Sequence, residues 1–206
     1  MENHLRSYVS GGLSVIDPVS QINSALSSIK FIEDTYPMLT SWGVHDEDVL
    51  VHSLGCSVWN TLGQNLGYMA VAECPAPVSF GADIRSDSTW FSVEDRTPVV
   101  LIEFERFDGT DRGQKKLEEK LCNLIEAAVR WNKSPKVLVL SAWSKGIVSA
   151  LNKDQLLRIC RNGFKTAAGV YIQSYYSIAV VLNRFIFETT GNDCIILKQT
   201  RCERLL

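Results

Sequence analysis

The run Val99-Val100-Leu101-Ile102-Glu103-Phe104-Glu105-Arg106 constrains the fold of this chain more than any other segment. Four consecutive apolar residues read as a strand buried on both faces, and such a strand needs a covering layer on each side. Strand side chains alternate between faces, so Glu103 and Glu105 point the same way. Two carboxylates on one face at the end of a buried strand repel each other. Something cationic should offset that, and a hard divalent metal ion is the usual candidate. Taken alone, a Glu-x-Glu is more often a solvated strand end. The upstream stretch Gly81-Ala82-Asp83-Ile84 and the helix that follows Asp108-Gly109 favour a site here.

The rest of the chain supplies the layers. Asp17-Pro18 is a helix start, and Val19, Ile22, Leu26, Ile29 and Ile32 follow at helical spacing up to Pro37. A second helix begins near Asp46, with Leu50, Leu54, Val58, Leu62 and Leu66 every four residues until Gly67. Then the period shortens. Val78, Phe80, Ala82 and Ile84 alternate as in a strand, Trp90 to Val93 forms another, and Val99 to Phe107 is the third. Asp111 with Gln114 resembles a capping box that opens a long amphipathic helix through Leu117, Leu121, Leu124, Ala128 and Trp131. Lys136 to Leu140 is a buried strand, and a helix returns from Asp154 with Leu157, Cys160 and Phe164. Late strands are expected at Gly169 to Gln173, Ile178 to Phe187 and Ile195 to Leu197. The order predicts one α/β domain over 1–206, a mixed central sheet flanked by helices on both faces, with residues 1–40 as an N-terminal helical extension.

Composition sets outer limits. A chain of 206 residues can bury a real core as a single domain. No apolar run is long enough to span a bilayer, and the N-terminus has no secretory pattern, so a cytoplasmic protein without a membrane partner is expected. Six cysteines without a CxxC spacing argue for reduced thiols rather than a zinc framework or disulfides. Net charge is −2, but residues 130–206 carry 12 Lys/Arg against 4 Asp/Glu. An acidic middle beside a basic C-terminal third fits a metal site next to a phosphate-binding surface, or simply two solvated helices and a tail.

An amphipathic helix, Asp83 in a strand context, the Glu103-Phe104-Glu105 strand, an amphipathic helix opened by Gly113-Gln114-Lys115, and the buried strand Val137 to Leu140 follow in that order. Over residues 46–145 this resembles the PD-(D/E)XK nuclease superfamily, the restriction-endonuclease-like fold. The resemblance implies a metal-dependent endonuclease, with Mg²⁺ or Mn²⁺ held by Asp83 and Glu103. Ala82-Asp83 matches the Pro-Asp element with alanine for proline. Glu105 stands where the family usually has lysine, although some members carry glutamate there. Lys115 or Lys116 from the next helix would then supply the missing positive charge, and Gln114 resembles a helix glutamine that many members place beside the site. The catalytic set so implied is Asp83, Glu103, Glu105 and Lys115. DNA is the implied partner, through Lys133, Lys136, Arg158, Arg161 and Lys165, and a homodimer or a protein partner is compatible with it. The alternative is a catalytically inactive binding or assembly subunit that kept the acids and lost the lysine.

Other candidates rank lower. Asp87 competes with Asp83 as a metal ligand, and Glu47 is an accessory acid better explained by the helix dipole. His52 lies mid-helix, where a surface or core histidine is commoner than a ligand. Tyr171, Tyr175, Tyr176 and Phe185 with Arg184 can stack on bases, but aromatics in strands more often pack the core. No phosphate-loop motif occurs.

Overall fold

The computed structural model describes residues 17–45, 49–78, 83–174, 177–191 and 193–206. Asp46, Glu47, Gly81, Ala82, Tyr175 and Tyr176 lie outside them, as does the strand expectation for Phe80. The elements are α1 (Pro18–Ala25), α2 (Lys30–Thr35), a π-helical turn (Met38–Trp42), α3 (Val49–Asn65), β1 (Met69–Pro75), β2 (Arg85–Phe91) and β3 (Pro98–Arg106). They continue with α4 (Asp111–Arg130), β4 (Val137–Lys145), α5 (Lys153–Asn162), a small hairpin of β5 (Phe164–Lys165) and β6 (Tyr171–Ile172), β7 (Ala179–Thr189) and β8 (Ile195–Arg204).

Six strands form one mixed sheet in the order β1-β2-β3-β4-β7-β8. β1, β2 and β3 are an antiparallel meander. β4 lies parallel to β3, β7 parallel to β4, and β8 closes the far edge antiparallel. The two parallel joins need crossovers, which α4 and the α5 segment provide. One face of the sheet packs Val100, Ile102 and Phe104 against α1, α2 and α3. The other packs Leu101, Leu138 and Leu140 against α4 and α5. The expected α/β architecture with helices on both faces is what forms. Ile22, Leu26, Ile32 and Leu39 are fully buried in the first core, so the N-terminal helices are part of the packed body.

Three expected elements differ. The single helix over 17–37 breaks at Leu26–Ile29, where Ser27 Oγ donates to the Ser24 carbonyl at 2.8 Å and Ser28 Oγ accepts from Lys30 N at 3.3 Å. Serine hydroxyls that bond nearby backbone compete with the helical ladder. The strand expected at 90–93 starts earlier, as β2 at Arg85–Phe91, and pairs with β1 at Met69–Pro75, while residues 79–82 of the strand expected at 78–84 lie outside the described residues. β8 runs on to Arg204 rather than stopping at Leu197.

α3 sits unusually close to the sheet. A Cβ at Gly55 would overlap the Phe104 ring, and one at Gly63 would press on the Trp90 indole. Trp90 Nε1 donates to the Trp59 carbonyl at 3.1 Å, which pins the same helix to β2.

Candidate active site

Glu103 and Glu105 lie near the carboxyl end of β3, level with Leu140 and Ala142 of the parallel strand β4. Ligands of α/β sheets gather outside the carboxyl ends of parallel strands. The chain turns there through Asp108, whose Oδ1 accepts from Thr110 N at 3.0 Å. Thr110 then caps α4 by accepting from Gly113 N at 3.1 Å. This turn sends α4 back over the face that carries the two glutamates.

Lys116 and Lys120 each precede a core leucine, Leu117 and Leu121, and so flank the apolar seam of α4. Their stems run along apolar surface while the ammonium groups reach the acids. Lys116 Nζ donates to Glu105 Oε1 at 2.8 Å, and Lys120 Nζ donates to Glu103 Oε2 at 2.7 Å. Glu103 is 1% exposed, so water gives its carboxyl little support beside the Lys120 ammonium.

The third carboxylate comes from β2. The paired register of β2 with β3 ends at Ser88↔Ile102. Beyond it the Phe104 N–H donates to Asp87 Oδ2 at 2.6 Å. Asp87 is 6% exposed, and its other oxygen lies 3.9 Å from His52 Nε2 on α3. Asp87 thus adjoins the β3 backbone between the two glutamates, and its charge acts on Glu103, with Lys116, Lys120 and His52 beside these acids. Among the described residues the three ligating side chains that come within metal-sharing distance are His52, Cys56 and Asp87, not the three acids. A cavity of about 460 Å³ reaches one of the three acids, Glu105, and is lined by His52, Glu105, Arg106, Lys116, Lys120 and Trp143. Arg106 lies over the Trp143 ring at 5.3 Å.

The field inside the cluster is negative. Burial pushes the Glu103 carboxyl up to about 8, and the Asp87 charge adds to that, with Lys120 only partly offsetting it. Burial opposes the charge on Lys120, but Glu103, Asp87 and Glu105 outweigh it and hold that ammonium above its usual range.

Asp83 and Lys115 are placed elsewhere. Asp83 is half exposed and accepts from Arg85 Nε at 2.8 Å. Together with Lys115 it lines a separate cavity of about 670 Å³ beside Glu118, Glu119 and Lys165. Gln114 is likewise turned away from the acids. Its amide bonds Asn152 backbone at 3.0 and 3.3 Å, tying α4 to the start of α5. The five basic residues expected to hold DNA come from separate elements. Lys136 bonds backbone to Val99 at the amino end of β3, with Lys133 in the preceding turn, whereas Arg158, Arg161 and Lys165 belong to α5 and β5. Lys120 is the site residue the sequence reading missed. Its signal was the i, i+4 pair with Lys116 alongside the leucine seam.

The raised Glu103 carboxyl has a measurable consequence in metal-free protein. The folded chain keeps that proton up to about pH 8, while an unfolded glutamate releases it near 4.5. Glu103 therefore contributes stability that is fully present below pH 4.5 and is lost as pH rises through 8. Thermal unfolding in chelator should fall between pH 5 and 8.5 for the wild type, by on the order of 3 kcal/mol, and stay flatter for Glu103→Gln. Parallel curves for the two proteins would show that Glu103 does not carry the shift.

No protein family, curated protein or solved structure matches the chain. No helix among the described residues is long and apolar enough to cross a membrane.

Proposed function

We propose that this chain is a metal-dependent nuclease of the restriction-endonuclease-like class, and that it hydrolyses DNA phosphodiester bonds at the Asp87, Glu103 and Glu105 cluster. One observation carries the reading. Glu105 occupies the position where that class has lysine, and Lys116 of the following helix brings an ammonium back to within 2.8 Å of it. The helix, antiparallel meander, crossover helix and parallel strand over α3 to β4 support the same class.

The donors suit a hard divalent cation, Mg²⁺ or Mn²⁺, because all three acids offer oxygen. Such an ion, when bound, neutralises phosphate charge and makes water more nucleophilic. Asp87 and Glu103 would hold it. Glu105, at the cavity, takes the proton from the attacking water or adds a ligand. Lys116, more than half exposed, turns from Glu105 to a phosphate oxygen when substrate enters. Arg106 adds a second cation at the mouth of the cavity.

A second reading has its own observation. Each acid already has a partner in Lys116, Lys120 or the Phe104 N–H, as a purely structural cluster would. The test is hydrolysis of single- and double-stranded DNA in Mg²⁺ and in Mn²⁺. The nuclease reading expects cleavage by the wild type, suppression by chelator, and a loss of at least about 100-fold in Glu103→Gln and in Lys116→Met. A folded wild type that cleaves neither substrate in either metal supports the inactive binding subunit instead.

A further inference from the structure

On the α3 side of the cluster the chemistry changes from oxygen to nitrogen and sulfur. His52 and Cys56 stand at i and i+4, one above the other on one face of α3. Cys56 Sγ lies 3.7 Å from His52 Nε2, which lies 3.9 Å from Asp87 Oδ1. One ligand atom from each of the three falls within 4.8 Å of the other two. A tetrahedral zinc ion with ordinary bond lengths separates such donors by about 3.4–3.6 Å, so the Cys56–His52 and His52–Asp87 pairs need to close by up to about 0.5 Å and the Cys56–Asp87 pair by at most about 1.2 Å.

The surroundings fix the donors. Asp87 Oδ2 is held by the Phe104 N–H, which leaves Oδ1 turned toward His52. The His52 ring packs at 6.1 Å from Phe104, and Phe104 is fixed by Phe185 at 5.6 Å. The half-buried Cys56 thiol is raised by burial and by the charge of Asp87, Glu73 and Glu103. A thiolate there calls for a cation of its own.

We propose that His52, Cys56 and Asp87 hold a borderline-soft divalent ion of the zinc class, with its fourth position open toward the cavity that His52 lines together with Glu105 and Lys120. Three protein ligands and one open position is the arrangement of a zinc ion that binds water or substrate. Cys56 gives up its proton to solvent on binding, so one proton is released per ion from this ligand. The site shares Asp87 with the acidic cluster but takes no other donor from it. It therefore goes beyond the nuclease reading and stands whether or not DNA is cleaved.

Cobalt is the probe, because a cobalt–thiolate bond absorbs in the near ultraviolet and tetrahedral cobalt absorbs strongly in the visible. Reduced, metal-free protein titrated with Co²⁺ should develop both bands to one equivalent, and Zn²⁺ should abolish them. A 100-fold excess of Mg²⁺ should not. Cys56→Ser should lose the near-ultraviolet band, and His52→Gln should weaken Co²⁺ binding at least 10-fold, with circular dichroism confirming the fold of each. A wild type without the thiolate band, or a band unchanged in folded Cys56→Ser, overturns the proposal. If both variants unfold, alkylation of wild-type Cys56, read by peptide mass, decides it: zinc protects the thiol at least 10-fold if the site is real and not at all if it is not. DNA cleavage in Mg²⁺ by the wild type is scored separately, so the nuclease reading and this site fail independently.

Discussion

Replacing Lys120 by Met should destabilise the protein more at high pH than at low pH. Lys120 donates to Glu103 at 2.7 Å, and the Glu103 carboxyl has almost no contact with water. Removing one partner of a buried pair leaves an uncompensated charge, which costs about 3–5 kcal/mol. The Lys120 side chain keeps some solvent access, so the lower end applies, about 3 kcal/mol at pH 9. That corresponds to a fall of roughly 6–12 °C in melting temperature for a chain of this size. At pH 5 Glu103 is protonated, and most of that cost vanishes. Combining the change with Glu103→Gln removes the orphaned charge, so the double variant should be more stable at pH 9 than Lys120→Met alone. Melting curves of the three variants at pH 5 and pH 9 check the claim. A pH-independent loss would mean that Lys120 acts through its alkyl packing only.

The second large effect is expected at Gly55. In an exposed helix interior, alanine is favoured over glycine by up to about 1 kcal/mol. Here the added Cβ meets the Phe104 ring, which is fully buried between His52 and Phe185. Neither neighbour is the loose end of a flexible side chain, so α3 must lift from the sheet. Overpacking of this kind costs about 1–3 kcal/mol, so Gly55→Ala should be destabilising by about 2 kcal/mol despite the better helix former. The lift also separates His52 from Asp87, whose other oxygen is tied to Phe104. Denaturant unfolding of Gly55→Ala gives the sign, and a variant more stable than the wild type would show that α3 has room to move.

How much of this was legible in the sequence follows from where apolar patterning exists. β3, α4 and β4 were readable because they carry buried runs or a clean leucine seam, and they delivered Glu103, Glu105 and the helix that holds Lys116. β2 was not. Its core is Ser86-Asp87-Ser88-Thr89, four polar residues that are nonetheless buried. They are tolerated in part because Ser88 Oγ donates to Asn60 at 2.6 Å and Asp87 accepts from Phe104 N. A buried strand with a polar core has no hydrophobic period to read. The alternation at Val78 to Ile84 drew the strand expectation, and with it the preference for Asp83, whereas Asp87 is the acid that stands within β2. The same gap hid His52 and Cys56, whose meaning depends on an aspartate arriving from β2.

The central claim is that Asp87, and not Asp83, completes a metal-dependent nucleolytic site with Glu103 and Glu105. Its most direct test is the rate of DNA hydrolysis in Mg²⁺ and Mn²⁺ for the wild type, Asp87→Asn and Asp83→Asn, each with its fold verified. The account predicts cleavage by the wild type, a loss of at least about 100-fold in Asp87→Asn, and a rate within about two-fold of wild type in Asp83→Asn. Cleavage that survives Asp87→Asn, or that disappears in Asp83→Asn, would contradict it.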